Sequence, residues 1–572
     1  MHSVIVRMGR IGAAGVIAIV FCSVLIGAKS ADPPLRFADE AAKRGVADPV
    51  VNSTGPTFGD YDNDGDVDVF VPVEDLAEGS SDRLFENDGK GSFRNVAAER
   101  RVNNPGSFSR GAAFGDYDND GDLDLLTATM PPGQGRPRHV PTTLFRNLLK
   151  ESGQAVFEDV TRAARVMRAG NANDEKIGGI GDTAGGVAWA DYDRDGDLDF
   201  FWKNADPDVE NALFRNEGNG TFSDVTVAAG AAVQSKLRES NAQGSPNWTD
   251  VDQDGWLDLL ITNEGDSKVL LRNKGDGTFE DITRSRRPPS GIPFINPGAA
   301  QGACIADYDN DGDMDFYLPL ADQANRLILS RLKEKGAVTF EDVTLKSGAG
   351  DTGGARGCVA ADFDNDGDVD LYVNNGGPSN TLINDVIGDF PPFVQFYIAW
   401  EPAQNTLLRN NGDGTFVDVT KGSGAEGLGI GSGVGAADVN SDGFVDIFAT
   451  NRTYYSQGKQ VSPQAGQTRL YINRGNRNNW IKVQLIDRHG SKAVYGATIR
   501  VNSGGLVQTH ETTSAHGYNS TSEATITFGL GARSTVESIE VRWPGGASQT
   551  VAAPGIRSLI TIVENTSRPA AP

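Results

Sequence analysis

One twelve-residue stretch constrains what this chain can fold into. Asp60-Tyr-Asp62-Asn-Asp64-Gly65-Asp66-Val-Asp68-Val-Phe-Val71 recurs six more times, starting at Asp116, Asp191, Asp250, Asp307, Asp362 and Asp438. Positions one, three, five and nine are carboxylates. The first copy has Asp60, Asp62, Asp64 and Asp68, and the second Asp116, Asp118, Asp120 and Asp124. The third has Asp191, Asp193, Asp195 and Asp199, and the fourth Asp250, Asp252, Asp254 and Asp258. Asp307, Asp309, Asp311 and Asp315 make the fifth, and Asp362, Asp364, Asp366 and Asp370 the sixth. The seventh, Asp438, Asn440, Asp442 and Asp446, is neutral at position three. Alternate oxygens around one tight turn suit a hard cation such as Ca²⁺, which takes six to eight of them. Glycine at position six permits the turn. Position seven should lend only its backbone carbonyl, so its side chain should be free to vary. Asp66, Asp122, Asp197, Asp313 and Asp368 indeed alternate with Trp256 and Phe444.

Position twelve decides which architecture carries the loop. An EF-hand needs a bidentate glutamate there and a helix on each side. This chain has Val71, Thr127, Trp202, Ile261, Leu318, Val373 and Ala449 instead, within β-branched and aromatic runs that read as strands. The metal loop therefore joins two strands. A third strand follows (Leu213-Phe-Arg-Asn216), then a glycine hairpin (Glu217-Gly-Asn-Gly220) and a fourth strand (Thr221-Phe-Ser-Asp-Val-Thr226). Four antiparallel strands repeated seven times predict a seven-bladed β-propeller, whose closed ring protects its strand edges. The seventh repeat has no fourth strand of its own. Leu35-Arg-Phe37-Ala-Asp39, ahead of the first loop, is expected to supply it and latch the ring.

The formal net charge is −25, yet the seven loops hold 32 of the 77 acidic residues, so the acidity belongs to the metal sites. No basic cluster of the density that nucleic acid demands is present. Residues 1–30, with Arg7 and Arg10 ahead of the apolar run Ile11–Ala28, have the layout of a secretory signal peptide, or of an N-terminal anchor if uncleaved. A membrane is a partner only in that second case. The expected location is extracellular, at the cell surface or, in a bacterium, the periplasm. Residues 31–476 form the propeller, 477–565 a small β-sandwich or barrel, and 566–572 a disordered tail. Cys304 and Cys358 read as small buried residues, with a disulfide between them as the alternative.

The repeat grammar over 35–476 resembles the FG-GAP/VCBS repeats of the integrin α-subunit propeller and its bacterial relatives. Gly496-Ala, Phe528-Gly-Leu-Gly531 and Trp543-Pro-Gly-Gly546 are similar to the ASPIC/UnbV domain. That domain follows such propellers in proteins resembling the cartilage acidic protein 1 family. The resemblance implies up to seven structural Ca²⁺ ions and is silent on biological role.

Catalysis needs titratable groups tuned and placed together. The propeller has one histidine, His139, and the spacing of His510, Glu511 and His516 does not form His-Glu-x-x-His, so these read as exposed strand or loop residues. No catalytic residue is assigned. Two functions remain: an exported calcium-stabilised binding or adhesion module for a protein or glycan, and a calcium-dependent carbohydrate-active enzyme of the polysaccharide lyase kind. Strand polarity puts the metal loops and glycine hairpins on one face and every long insertion on the other. The insertion Asp389–Trp400, with Phe393, Tyr397 and Trp400, is the expected ligand contact.

Overall fold

Strand one of each repeat ends at its metal loop, and in the third repeat it runs Ala184–Ala190. Strand two follows at Asp199–Asn204, strand three at Ala212–Asn216 and strand four at Phe222–Asp224, all antiparallel. The inner strands are buried on both faces because each blade stacks on its neighbours. Asp124–Thr129 is buried at every position, whereas the outer strand Phe157–Asp159 buries only its phenylalanine. Aromatic rings fill the space between blades: Trp189 lies 5.3 Å from Phe200, and Tyr192 stacks on Trp248 of the next blade at 6.5 Å. The computed structural model describes residues 35–47, 52–74, 81–129, 142–166, 184–204, 210–233, 244–263, 268–283, 298–382, 398–452, 455–456, 459–460, 466–552 and 555–565. The expected signal segment and tail lie outside them.

Seven four-stranded sheets of this kind stand around one axis, with strands one innermost and neighbouring each other around the ring. The seventh takes Gly431–Ala437, Asp446–Asn451 and Arg469–Asn473 from the end of the array and Phe37–Asp39 from its start. Phe37 pairs with Asn473 and Asp39 with Tyr471, so the latch forms as the sequence suggested. Arg469 reaches Asp39 at 2.8 Å and Arg474 reaches Glu40 at 2.9 Å. In blades 2 and 5 the expected glycine hairpin is a single helical turn instead, Leu149–Ser152 and Leu332–Lys335. Among the described residues no helix is long and apolar enough to cross a membrane.

Cys304 and Cys358 are buried, as expected, but they are also bonded to each other across a Cα–Cα distance of 6.0 Å. Cys304 stands three residues before its loop and Cys358 four. Successive strand residues point to opposite faces, so on adjacent blades the two thiols face one another. Reading each strand alone concealed this.

After the ring come two sheets that share a core. One holds Asn479–Ile486 between Ile526–Gly531 and Leu559–Val563; the other runs Leu506–Glu511, Thr498–Ser503, Ser538–Arg542, Ser548–Val551. Ile481, Val483, Ile499, Phe528, Val541 and Trp543 pack between them. This is the expected sandwich. Leu35–Pro572 is one compact unit, so the sandwich is built onto the ring.

Candidate metal centres

Each loop folds around its own carboxylates before any ion is considered. Position four takes a left-handed turn in every copy, with φ of 58° at Asn63, 59° at Arg194 and 57° at Ser441. The glycine at position six lies near φ 98° at Gly65 and 105° at Gly367, which side chains resist. Its N–H donates to Oδ2 of position one, as from Gly121 to Asp116 at 2.9 Å and from Gly255 to Asp250 at 2.8 Å. Position nine is clasped twice by backbone: Asp199 Oδ1 accepts from Asn216 N at 2.8 Å and Oδ2 from Tyr192 N at 3.2 Å. Asp124, Asp258, Asp315, Asp370 and Asp446 are held in the same way.

These bonds leave a set of inward oxygens. Oδ1 of Asp60, Asp62, Asp118, Asp191, Asp193, Asp250, Asp307 and Asp309 is buried without a hydrogen-bond partner. Oxygens of Asp60, Asp62 and Asp68 come within 4.8 Å of one another, and so do those of Asp116, Asp118 and Asp124, and of Asp191, Asp193 and Asp199. Burial, reinforced by neighbouring aspartates, pushes the Asp116, Asp191 and Asp307 carboxyls up to about 8. Several carboxylates held together in a desolvated turn, with orphaned oxygens, fit a hard divalent cation. The all-oxygen donor set is the one that Ca²⁺ takes. At the seventh loop Asn440 supplies an amide where the others have a carboxylate, and its Nδ2 donates to Asp442 at 3.0 Å.

The position-seven side chain is not a free choice, contrary to expectation. Position four of one blade reaches position seven of the next: Asn119 donates to Asp197 at 2.6 Å, Asn310 to Asp368 at 2.8 Å, Asn63 to Asp122 and Gln253 to Asp313 at 3.2 Å. Where position seven becomes Trp256, position four of the preceding blade becomes Arg194, whose guanidinium lies 4.1 Å from the indole centroid. At Phe444 the partner Asn365 turns to the Gly443 carbonyl, at 2.9 Å. The signal was present as an arginine one blade before a tryptophan.

A second missed residue is the asparagine ending strand three. Asn216 Nδ2 donates to Tyr117 O of the preceding blade at 2.7 Å and to Leu198 O at 3.2 Å, while its Oδ1 accepts from Gly218 N. Asn147, Asn273, Asn410 and Asn473 repeat the bond to the preceding blade, and Asn87 closes the ring by donating to Val439 O at 2.9 Å.

The loop face is covered by the C-terminal sandwich. Lys492 bonds Asp60 and Arg542 bonds Asp250, each at 2.5 Å, and Lys482 bonds Asp438 at 3.2 Å. The segment between the Leu506–Glu511 and Ile526–Gly531 strands enters the channel lined by strands one. Ser514 Oγ donates to Trp189 O at 2.7 Å, Gly517 N to Ala303 O at 2.8 Å and Thr521 N to Pro56 O at 2.9 Å. Asn519 N donates to Ser245 Oγ at 2.9 Å. The channel admits this plug because small residues line it: a Cβ on Gly186 would stand 2.3 Å from Asn519 Oδ1, and one on Gly302 2.2 Å from Gly517. His510, Glu511 and His516, expected on an exposed strand or loop, are instead half-buried in this seam. Glu511 accepts from Thr249 Oγ1 at 2.7 Å and from Asp250 N at 3.1 Å. Burial holds both histidines near 4, so they are neutral. Of the expected ligand contacts, Phe393 and Tyr397 lie outside the described residues; Trp400 stands on the strand Ile398–Glu401, paired with Pro378.

Fold and loops together define a β-propeller of FG-GAP-like repeats: the FG-GAP-like repeat model matches residues 60–127, 250–318 and 395–449, and that for ASPIC and UnbV matches 488–569. Among characterised proteins the chain is similar to cartilage acidic protein 1. It is 27% identical to that of Xenopus tropicalis over 53% of this chain and 42% of the relative, and 26% identical to that of Homo sapiens over 54% and 42%. The matches thus span less than half the length of those relatives. Among solved structures, a Bacillus licheniformis rhamnogalacturonan lyase superposes with a TM-score of 0.36 and 14% identity over 77% of this chain and 75% of its own. BBS1N in complex with ARL6DN superposes with 0.39 and 7% identity over 77% and 97%. Both likenesses are too loose to carry an argument.

Proposed function

We propose that this chain is an exported, calcium-loaded binding module that meets a protein or glycan ligand on the face opposite its metal loops. One observation carries the reading. The sandwich covers the loop face and plugs the channel from it, so a partner is met on the other side. The connections expected to carry the long insertions start from the opposite strand ends, and loops on a rigid scaffold are suited to recognition. Supporting calcium are the orphaned, buried carboxylate oxygens of the loops. Export is supported by the Cys304–Cys358 disulfide, a bond that persists in oxidising compartments. There, millimolar calcium also keeps weak extracellular-type sites filled.

The residues that would hold Ca²⁺ are positions one, three, five and nine of each loop, with the position-seven carbonyl. The ion would supply the positive charge that those carboxylates lack. With a dissociation constant of ~0.1 mM and ~1 mM free calcium, each site adds about 1.4 kcal/mol by linkage. The test is calorimetric melting in calcium and in excess EGTA, followed by array screening on glycans and matrix proteins. An unchanged melting temperature on metal-free protein refutes the calcium reading. Replacing Phe393, Tyr397 and Trp400 together by alanine should abolish capture without moving the melting temperature; retained capture would place the ligand face elsewhere.

A further inference from the structure

The seam between the sandwich and blades 2 and 3 does not close. It leaves a hollow of about 470 Å³, inside the roughly 300–1,000 Å³ of small-molecule pockets, which form preferentially at such junctions. Leu198 of blade 3 and Val494 of the sandwich give it apolar patches, and the turn at Gly545 forms part of its wall. Two guanidinium groups line it, one from each side. Arg488 lies against the Gly196 turn, where a Cβ would stand 1.9 Å from its Nη2, and its Nε donates to His489 Nε2 at 2.8 Å. Arg194 stacks on Trp256, and its Nε is buried with no acceptor. Among the described residues neither guanidinium is in an ion pair. Carboxylates line the same hollow: Asp116, Asp191 and Asp195 from the loops, Asp487 and Glu564 from the sandwich. Glu564 Oε2 accepts from Arg488 N at 3.3 Å and Asp487 Oδ1 from His489 N at 2.8 Å. Among the described residues the other oxygen of each accepts no hydrogen bond.

We propose that this hollow binds a neutral sugar ring, as a second ligand site apart from the face opposite the metal loops. A lining of both signs selects against charge on the ligand. Five carboxylates oppose an anion, and two guanidinium groups oppose a cation. Loops 2 and 3 each hold five aspartates, so a bound Ca²⁺ still leaves them negative, and the argument holds with or without the metal. A hydroxyl both donates and accepts. Neighbouring hydroxyls on one ring can therefore accept from a guanidinium fork and donate to Glu564 and Asp487, while the C–H face of the ring lies on Leu198 and Val494. At ~30 Å³ per water, the hollow has the volume of roughly 15 waters, which suits a single ring. The cover that keeps a protein partner off the loop face does not keep out a ligand of this size.

Saturation-transfer NMR titration on the intact chain tests this, with the methyl glycosides of glucose, galactose and mannose as probes and glucuronate and glucosamine as charged counterparts. At least one neutral glycoside should bind, and more tightly than either charged sugar. Arg488→Met, at an exposed side chain, should weaken it roughly 10–100-fold, as loss of a hydrogen bond from a charged donor implies. Gly545→Phe, where a Cβ meets nothing within 4 Å, should block the site by filling the hollow, with melting unchanged from the wild type. If Arg488→Met loosens the sandwich, Gly545→Phe and the ranking of neutral over charged sugars still decide. Absence of binding by all three glycosides, tighter binding of glucuronate or glucosamine, or binding that survives both Arg488→Met and Gly545→Phe overturns the proposal.

Discussion

Removing one ring from the N-terminal latch should open blade 7 and leave the other blades closed. Phe37 is 6% exposed, and its ring meets Phe363 of blade 6 edge-on at 5.8 Å. Its N–H donates to Ser423 O at 2.6 Å, and its carbonyl abuts Gly424, so it ties blade 7 to the turn that leaves blade 6. Phe37→Ala removes a buried aromatic side chain, a change that costs about 3–5 kcal/mol. Because Phe37–Asp39 pairs only with Arg469–Asn473, the loss should appear first as local opening. Hydrogen exchange reads it directly: amides of Leu470–Arg474 should lose roughly 10²–10³-fold of their protection, while strands of blades 2–5 keep theirs. Val417→Ala, on the equivalent outer strand of blade 6 and 45% exposed, is the control and should change little. Unaltered protection at Leu470–Arg474, or an equal loss in every blade, would refute closure through the latch.

Two further outcomes follow from the loops. Arg194→Ala should lose a contact worth about 0.5–2 kcal/mol to Trp256, read from urea midpoints. The pair Arg194→Asn with Trp256→Asp, which restores the arrangement of Asn119 and Asp197, should sit closer to wild type than either single change; additive losses would count against the link. In EGTA, Asp116, Asp191 and Asp307 hold protons up to about pH 8, against an ordinary value of 3.8. The folded chain then binds more protons than the unfolded one between those values, so metal-free stability is greatest in acid and falls as pH rises towards 8. A urea midpoint that climbs from pH 5 to pH 8 without metal would contradict this.

What could be read in the sequence is what acts within one repeat. Carboxylates at positions one, three and five lie on a single turn, so their spacing carries the donor set by itself. The latch was legible for a related reason: Phe37 precedes Gly45 by the same interval that separates Phe222 from Gly230. Contacts between repeats were misread. Trp256 looked like drift at an indifferent position because its partner, Arg194, lies a whole blade earlier, where no local pattern points to it. The two cysteines were read correctly as buried, but their bond stood only as the alternative, since pairing depends on which face of each strand looks across the gap.

The sandwich shows how far this extends. Glycines recur in strand one, as at Gly111, Gly115, Gly186, Gly433 and Gly435, and a strand alone offers no reason for them, since glycine weakens strands. For Gly186 and Gly433 the reason is the plug, whose residues Ser514–Thr521 carry no charge and no periodicity to announce it, while Gly59, Gly115 and Gly435 leave room for Phe114, Trp189 and Phe58 of the adjacent blade. The same asymmetry governs the metal sites. Seven loops written in one pattern invite treatment as seven equal sites, but equality requires seven equal surroundings. A single sandwich set on a sevenfold ring cannot provide them: its strands put Lys482, Lys492 and Arg542 over three loops, Asp487 beside a fourth and Arg488 against the Gly196 turn of a fifth. The repeat therefore accounts for the donors, and the cap accounts for what stands over each set of them.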